Sequence, residues 1–277
     1  MTALGVQAVG WLWIRKRLLL FAAAAALAFV VPAYAFWIEP YWIEVTHHTV
    51  TANIGRPIKI AHLTDIHTSG LGRRERKMLD LIEEERPDLI VITGDSISIT
   101  SDYPGFREVL MRLHAPLGVW VVRGNHEDWW PVKDESTFYE SAGARLLVNS
   151  NAQVRDGIWL IGIDDMYAGS PDLERALARV PESAYKLALF HSPVYFDKMA
   201  GRSDLVLAGH SHGGQVRLPI FGALWTPPFA GEYFSGWFEK QGSKMYVSRG
   251  VGTSIFDVRF WCRPEVAIIT IGDKQGS

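Results

Sequence analysis

Cysteine is nearly absent from this sequence: Cys262 is the single one among 277 residues. A single cysteine excludes an intrachain disulfide and a metal site built from several thiolates of one chain. Cys262 has two interpretations, a nucleophile or a buried apolar residue. We favour the second because free cysteines most often occupy the core.

An excess of charge of one sign is also missing, since 28 basic and 30 acidic residues leave a formal net charge of −2. No overall basic field attracts nucleic acid, so we expect no nucleic-acid partner. The remaining composition, with 48% apolar and 21% charged residues, is that of an ordinary globular protein. The length suits one large domain or two small ones.

One long apolar run is present, and it lies at the N-terminus. Leu18–Phe36 contains no charged residue in 19 positions and follows a basic cluster at 15–17. This length approaches the ~20 residues that cross a bilayer as a helix. The basic cluster predicts a cytoplasmic N-terminus, with the chain beyond residue 40 outside. We therefore expect a basic tip and a transmembrane or signal helix over residues 1–40, followed by a globular domain over residues 41–277.

Two fates of this helix stay open. Ala33–Ala35 resembles a signal peptidase site, so the helix can belong to a cleaved signal peptide. The aromatic residues Trp37, Tyr41 and Trp42 are instead typical of the interfacial belt of a retained anchor, which we favour. In both cases the domain over residues 41–277 is predicted to lie outside the cytoplasm.

Short apolar runs and turn residues predict alternating strands and helices, followed by hairpins. The predicted helices are Arg73–Glu85, about Phe106–Leu113, about Glu135–Ala142 and Leu173–Val180. The predicted strands are Tyr41–Val50, Ile58–Thr64, Leu89–Thr93, Gly118–Arg123, Ala144–Val148, Ala152–Val154, Ile158–Ile163, Tyr185–Phe190, Leu205–Ala208, Gln215–Leu218, Lys244–Ser248 and Val266–Ile271. This order predicts an α/β protein with two sheets packed face to face and helices outside.

Metal-binding residue types recur where these apolar runs end. Because strand ends meet at one edge of a sheet, such residues can share one crevice. They are Asp65, His67, Asp95, Asn125, His126, Glu127, His191, His210 and His212. Mixed nitrogen and oxygen donors suit two divalent transition ions, and two-metal sites act on phosphate esters.

Spacing indicates how some of these donors can act. Asp65 and His67 are two residues apart, as are His210 and His212, so each pair points to one side of an extended segment. Asp95 follows a buried strand and a glycine, and its two carboxylate oxygens suit a bridge between two ions.

The histidine of the GNHE motif has a different predicted role. His126 adjoins Asn125, so it can point away from the ion that Asn125 binds and contact the substrate. There it can give a proton to the leaving oxygen or stabilise charge on the phosphoryl group. Each motif alone also occurs as a cap, a turn or a core histidine. Their shared position at strand ends favours a common metal site.

The series DIH, GD, GNHE, H and GHSH resembles the signature of the calcineurin-like metallophosphoesterase superfamily. The segments GHSHGGQVRLP, SRGVGTS and CRPEV are similar to its bacterial membrane-anchored branch and extend the resemblance to most of residues 58–271. That branch includes cell-envelope phosphoesterases and UDP-2,3-diacylglucosamine pyrophosphatases of lipid A synthesis. The resemblance implies two mixed β-sheets flanked by helices, an α/β/β/α sandwich, in a single-pass protein of the bacterial inner membrane.

The resemblance also implies a ligand set for two divalent ions, which can be Mn, Fe or Zn. The ligands of one ion would be Asp65, His67, Asp95 and His212, and those of the other Asp95, Asn125, His191 and His210. His126 would be the catalytic histidine. A hydroxide bridging the ions would attack phosphorus directly. Ser96–Ser98 and Glu127 stand where many members have Asp, which affects the surroundings of the ligands rather than the ligands themselves.

Candidate substrate contacts rest on weaker patterns. Arg217 and Arg249 can bind phosphate oxygens in a bidentate manner, and structural ion pairs are an equal alternative. Trp129, close to His126, can form a wall of the site or simply pack. The aromatic-rich segment Phe221–Phe238 can line an acyl pocket, touch the membrane or form an ordered loop.

Three functions are therefore compared. The leading one is a membrane-anchored phosphohydrolase that cleaves a phosphodiester or pyrophosphate bond, with a UDP-2,3-diacylglucosamine-type lipid as an alternative substrate. The second, a non-catalytic envelope binding protein, is disfavoured because every predicted ligand is present. The third, a metal-dependent hydrolase of another bond such as an amide, is disfavoured only through the family resemblance given above. A UDP-linked lipid precursor is made on the cytoplasmic side, whereas the charge rule predicts a domain on the outside. That substrate and that orientation conflict.

Overall fold

The computed structural model describes residues 3–272, with side chains at Trp13 and from residue 15 onward. Residues 1, 2 and 273–277 of the two predicted domains lie outside the described part. The helices are α1 Ala3–Trp37, α2 Arg73–Glu85, α3 Tyr103–Leu110, α4 Asn125–Trp129, α5 Glu135–Ser141, α6 Leu173–Leu177 and α7 Phe196–Met199. The strands are β1 Glu44–Val50, β2 Ile58–Leu63, β3 Leu89–Thr93, β4 Val119–Val122, β5 Ala144–Leu146, β6 Ser150–Arg155, β7 Ile158–Gly162, β8 Tyr185–Leu189, β9 Leu205–Ala208, β10 Arg217–Leu218, β11 Gly222–Ala223, β12 Gly236–Lys240, β13 Ser243–Val247 and β14 Glu265–Ile271.

The strands form two six-stranded sheets and the short ribbon β10-β11. The first sheet has the order β1-β14-β2-β3-β4-β5; β2 to β5 are parallel, and β14 is antiparallel to β2. The second has the order β12-β13-β9-β8-β7-β6; β13 to β7 are parallel, and β12 and β6 are antiparallel edges. Both sheets are therefore mixed, as predicted.

The two sheets pack face to face through an apolar interior. Ile60, Val91 and Trp120 of the first sheet belong to the same buried cluster as Leu160 and Leu187 of the second. On its other face the first sheet packs against α2, α3 and α5, and the second packs against α6 and α7. Every residue of β3 is buried because helices cover one face of the sheet and the second sheet covers the other. A strand buried on both faces needs a continuous apolar sequence, and β3 has one. The predicted sandwich is confirmed.

Helix α1 extends beyond the predicted apolar run. The stretch Arg15–Tyr41 contains a window of mean hydropathy 2.3 that is only 6% buried. It is long and apolar enough to cross a membrane, although a signal sequence has the same properties. The end of α1 contacts the globular part: the backbone N–H of Arg259 donates to the carbonyl of Ala35 at 3.0 Å, and Tyr34 packs edge-on against Phe260.

Several boundaries differ from the prediction for local reasons. Helix α3 begins at Tyr103 because Pro104 suits the first turn of a helix. Helix α6 ends at Leu177 rather than Val180. Ala178 already has a non-helical ψ of 128°, and Val180 avoids helical geometry because it precedes Pro181. Helix α4 and the edge strand β12 were not predicted.

Candidate metal centre

The predicted ligands come together at one edge of the two sheets. In the first sheet, Asp65, Asp95 and Asn125 follow the ends of the parallel strands β2, β3 and β4. In the second, His191 and His210 follow the ends of the parallel strands β8 and β9. The backbone N–H of His210 donates to both carboxylate oxygens of Asp65, at 3.1 and 3.0 Å. This contact joins the two sheet edges.

The candidate ligand atoms form three groups, each with its atoms within 4.8 Å of one another. The groups are Asp65 with His67 and His212, Asp95 with His191 and His210, and His67 with Asp95 and His126. The Oδ2 atom of Asp95 lies 3.2 Å from Nε2 of His191 and 3.7 Å from Nε2 of His67. Asp95 therefore belongs to two of the groups and lies next to the third through His67, which is the position predicted for a bridging carboxylate.

The backbone at these ligands is strained. Five of them have positive φ: Asp65 (51°), His67 (44°), Asp95 (49°), His210 (70°) and His212 (49°). Residues other than glycine seldom adopt this conformation, which costs about 1–3 kcal/mol at each position and persists only where surrounding contacts enforce it. Such strain is concentrated at functional sites.

Glu127 supplies several of the enforcing contacts. Its buried carboxylate accepts hydrogen bonds from the backbone N–H groups of Asp95 (2.9 Å), Ser96 (2.7 Å) and Gly124 (2.8 Å). The turns after β3 and β4 are thereby tied together. Gly124 is required here, because a Cβ atom at that position would lie 2.3 Å from Oδ1 of Asp95. The sequence identified Glu127 only as a variation of the motif, and its positioning role was missed.

Burial and neighbouring charges determine the ionisation of the site. Burial alone lowers the pKa of His191, but the adjacent Asp95 and then Asp65 raise that pKa well above its ordinary value. Burial lowers the pKa of His67 to about 3 and that of His210 to about 4. The last two imidazoles are therefore neutral at pH 7, which is the form that binds metal ions.

Two carboxylates of the site differ in the direction of their pKa shifts. Burial raises the pKa of Asp65 to about 6, with the charge of Asp95 adding to the effect and His191 opposing it. Burial also acts to raise the pKa of Asp95, but the charge and hydrogen bond of His191 outweigh it and hold that pKa well below its ordinary value. Asp95 is thus the carboxylate most firmly held in the ionised form.

The residues fit divalent ions. Nε2 of His67 and Oδ1 of Asn125 are buried and have no hydrogen-bond partner in the part of the chain that the structure describes. Leaving one buried polar atom without a partner costs about 1–3 kcal/mol. Coordination by an ion would satisfy such atoms, and the donor set of carboxylate, imidazole and amide groups is the one expected for Mn, Fe or Zn.

His126 belongs to the group of His67 and Asp95. Its backbone N–H donates to Oδ1 of Asp95 at 2.9 Å, and its Nδ1 lies 2.9 Å from the carbonyl oxygen of Ser98. A carbonyl only accepts, so Nδ1 carries the proton, and Nε2 lies 4.0 Å from Oδ2 of Asp95. The ring of Trp129 packs against it with centroids 5.2 Å apart. His126 is therefore oriented toward the metal-binding groups and remains partly accessible.

A cavity of about 490 Å³ opens over the centre. Asp95, Asn125, His210 and His212 form its polar floor. Its walls are mostly apolar and include Trp129, Tyr167, Val216, Leu224, Trp225, Ile255, Phe256 and Val258. Tyr167 was missed in the sequence because it follows no motif; it stacks on Phe229 with centroids 4.7 Å apart.

The two arginines proposed as substrate contacts do not line this cavity. Arg249 pairs with Glu44 at 2.8 Å and with Glu265 at 3.3 Å, and Arg217 donates to the carbonyl of Gly213 and the hydroxyl of Ser235. These contacts favour the structural alternative for both.

Cys262 has the apolar role that we favoured. It is 1% exposed, and its thiol contacts the carbonyl oxygens of His212 and Gly213. It is therefore a core residue that packs against the loop containing His212 and Gly213.

Residues 58–214 match the family of calcineurin-like phosphoesterases. The chain belongs to this family. It is 32% identical over 268 residues to the uncharacterized metallophosphoesterase YkuE of Bacillus subtilis, covering 90% of this chain and 93% of that protein. It is 30% identical over 281 residues to the phosphodiesterase YaeI of Escherichia coli, covering 93% and 98%.

Solved structures are similar in fold at low sequence identity. A dimetal phosphatase from Danio rerio is 11% identical with a TM-score of 0.47, covering 70% of this chain and 88% of that one. The protein TT1561 of Thermus thermophilus is 15% identical with a TM-score of 0.48, covering 71% and 91%.

Family membership decides the class of chemistry. The protein is a metal-dependent phosphoesterase, and calcineurin-like phosphoesterases use two divalent metal ions. The Asp and His groups at the sheet edges are the places where such ions can bind.

Proposed function

We propose that this protein is a membrane-anchored, two-metal phosphohydrolase that cleaves a phosphodiester or pyrophosphate bond. The proposal rests on one observation above all: Asp95 belongs to two groups of candidate ligand atoms, one with His191 and His210 and one with His67 and His126. The 30% identity to a relative called a phosphodiesterase supports a diester rather than a monoester. The apolar helix α1 supports anchoring in the bacterial inner membrane, with residues 1–40 as tip and anchor and residues 41–277 as catalytic domain.

Each side chain has a proposed task. Asp65, His67, Asp95 and His212 would hold one ion, and Asp95, Asn125, His191 and His210 the other. When bound, the ions would supply an activated water and neutralise the charge of the phosphoryl oxygens. With its Nδ1–H held by the carbonyl of Ser98, His126 would act as the imidazolium and donate its Nε2 proton to the departing oxygen, becoming the neutral imidazole. Trp129 and Tyr167 would keep bulk water from one side of the scissile bond.

The test is hydrolysis of bis-p-nitrophenyl phosphate and p-nitrophenyl phosphate by the full chain loaded with Mn²⁺. We expect turnover of the diester, its loss in Asp95→Asn, and a fall of kcat on the order of 10²–10⁴ in His126→Ala. Asp156→Asn, an exposed hairpin residue far from the edge, is the matched control.

Measuring the Mn²⁺ bound to each variant distinguishes the loss of a metal ligand from the loss of the catalytic histidine. His191→Ala should lose bound Mn²⁺, whereas His126→Ala should keep it, because only the first is a proposed ligand. Undiminished diester hydrolysis in Asp95→Asn would contradict the proposal. Bound metal without turnover of any ester would instead favour a binding protein that retained the fold.

A lipid-linked substrate is the second candidate, and the apolar walls of the cavity favour it. UDP-2,3-diacylglucosamine combines a pyrophosphate with acyl chains and belongs in the same assay. Its turnover would require the catalytic domain to reach the cytoplasmic leaflet, contrary to the orientation that the basic cluster at 15–17 predicts. Turnover of the generic diester alone would favour an envelope phosphodiesterase facing outward.

A further inference from the structure

A set of large apolar side chains surrounds the mouth of the cavity and is exposed to solvent. We call this set the apolar rim; its members are Leu218, Ile220, Phe221, Leu224, Trp225, Ile255 and Phe256. Ile220 is 102% exposed, Phe221 80% and Ile255 77%. Isolated exposed apolar residues are ordinary, but a contiguous group of this size around a site marks an interaction surface.

The rim is held in shape by specific contacts. It consists of two loops, one at the tip of the β10-β11 ribbon and one at 254–258. Gln215 connects them: its side-chain amide donates to the carbonyls of Ser254 and Phe256 at 3.1 Å, and its oxygen accepts from the N–H of Ser254 at 2.8 Å. Hydrogen bonds between the two loops therefore fix the shape of the rim.

The backbone at the two tips is strained in a way that exposes apolar side chains. Ile220 has φ of 73° and Ile255 has φ of 66°. A β-branched residue in this conformation is a genuine outlier, and such strain is concentrated where a segment serves a function. Burial inside the protein does not compensate for it here, since both side chains point into solvent.

The rim is continuous with the end of α1. Val216 forms a bridge with Phe260, whose carbonyl accepts from the N–H of Arg217 at 2.8 Å. Phe260 also packs on Tyr34 of α1. Just beyond it, the N–H of Trp261 donates to the carboxylate of Glu39 at 2.9 Å, so the chain after the helix is fixed to the same segment. The rim and the helix end thus belong to one connected part of the molecule.

The amino-acid composition of the rim and of the helix end indicates what kind of partner contacts this surface. Residues 218–231 contain no charged side chain, and the one charged residue of the second loop, Asp257, accepts a hydrogen bond from the hydroxyl of Thr253 at 2.7 Å. The rim therefore offers little for a salt bridge to a protein partner. Exposed aromatic residues surround the helix end: Trp37 is 68% exposed, Trp42 52% and Trp261 60%. Tryptophan at this position is typical of the membrane–water interface.

We infer that the apolar rim inserts into the leaflet from which α1 emerges, so that the cavity over the metal centre opens onto the lipid surface. The inference rests on the proposed anchoring by α1, and it goes beyond the proposed hydrolysis by naming the surface that the catalytic domain contacts. An amphipathic phosphoester could then enter from the bilayer, with its phosphate at the metal centre and its apolar part along the apolar walls of the cavity.

Lipid-quenched fluorescence on the full chain in nanodiscs of phosphatidylethanolamine and phosphatidylglycerol tests the inference. Single cysteines are introduced as Phe221→Cys, Phe256→Cys or Met111→Cys and labelled with an environment-sensitive dye. Met111 is 50% exposed at the end of α3 and is the control, while buried Cys262 stays unlabelled in the wild-type protein. Quencher lipids carry a nitroxide on the acyl chain.

The expected result is a blue-shifted emission at 221 and 256, quenched at least about threefold more than at 111. Equal quenching at all three positions would overturn the inference. A blue shift without lipid quenching would also overturn it and would indicate a protein partner or a second copy over the rim.

Activity separates this inference from the proposed function. Ile220→Ser combined with Phe221→Ser changes only exposed side chains outside the cavity. The double variant should hydrolyse bis-p-nitrophenyl phosphate at the wild-type rate in nanodiscs. If the wild-type protein shows quenching at 221 but no diester hydrolysis, the membrane-facing surface stands and the proposed chemistry fails. Diester hydrolysis without quenching at 221 would support the chemistry and overturn the insertion of the rim.

Discussion

Single residues around the site hold the proposed ligands in a fixed orientation. Nδ1 of His191 donates to the carbonyl of Thr93 at 2.7 Å, so Nε2 is the ring nitrogen that faces Asp95 and the proposed ion. The hydroxyl of Thr64 donates to Oδ2 of Asp65 at 2.8 Å. Such outer contacts fix the tautomer and direction of a ligand and are typical of metal sites. Glu127 is the most connected of these supporting residues.

We expect Glu127→Gln to lower both the stability and the metal affinity. The amide keeps the shape of the carboxylate but turns an NH₂ toward backbone N–H groups, so at least one buried donor loses its acceptor. That loss costs about 1–3 kcal/mol. Thermal unfolding and calorimetric titration with Mn²⁺ of the full chain in detergent measure the two effects.

Glu83→Gln, an exposed change on α2, serves as the control. If the Glu127 variant had the melting temperature and Mn²⁺ affinity of this control, the positioning role would be wrong. If it lost stability and kept its affinity, Glu127 would support the fold without tuning the ligands.

At the scale of elements, β14 connects the two sheets through Glu265. This buried carboxylate accepts hydrogen bonds from Thr46 of β1 at 2.6 Å and from Tyr246 of β13 at 2.5 Å. It also accepts from the backbone N–H of Arg249 at 2.9 Å. Burial acts to raise the pKa of Glu265, but Arg249 and these hydrogen bonds outweigh it and lower that pKa to about 2.

This depressed pKa predicts how stability varies with pH. A carboxylate with an ordinary pKa of 4.5 in the unfolded chain and about 2 in the folded protein stabilises the fold above pH 4.5. The contribution is lost as pH falls from 4.5 toward 2. Its size is on the order of 3 kcal/mol, since one pKa unit corresponds to about 1.4 kcal/mol.

Glu265→Gln should therefore be less stable at pH 7 and show a smaller loss between pH 5 and pH 3 than the wild-type protein. Urea unfolding at several pH values measures this difference. Glu140→Gln, at an exposed position of α5, should follow the wild-type curve. Parallel curves for wild type and the Glu265 variant would show that this carboxylate does not carry the pH dependence.

At the scale of the whole molecule, the metal centre, the apolar cavity and α1 are arranged so that a polar reaction site lies beneath an apolar mouth. This arrangement predicts selectivity for phosphoesters with a hydrocarbon part. Octyl phosphate should inhibit hydrolysis of bis-p-nitrophenyl phosphate at least about tenfold more strongly than methyl phosphate, because each buried methylene contributes about 0.8 kcal/mol.

The cavity wall provides the internal control for that comparison. Trp225→Ser removes an apolar wall, so it should reduce the advantage of octyl phosphate and leave inhibition by methyl phosphate unchanged. Inhibition constants below the micellar concentration of the alkyl phosphate are compared. Equal constants for both phosphates in the wild-type protein would contradict a hydrocarbon-binding cavity.

The sequence by itself determined the class of fold and the set of candidate ligands. Buried parallel strands need continuous apolar runs, and β3 and β9 therefore have the predicted bounds Leu89–Thr93 and Leu205–Ala208. Residues that directly follow neighbouring parallel strands lie at the same edge of the sheet, whatever the conformation of the loops after them. That is why the pattern alone could assign Asp95 and His210 to one site.

Only the tertiary structure decided which polar and apolar residues serve the site. The sequence pattern makes Arg249 a candidate phosphate contact, but its partners Glu44 and Glu265 are brought to it by β1 and β14. Ile220 belongs to a residue type that usually lies in the core, yet the ribbon places it fully in solvent. Hydrophobic periodicity describes a residue's neighbours along the chain, whereas pairing and exposure depend on contacts between segments distant in sequence, which local pattern does not encode.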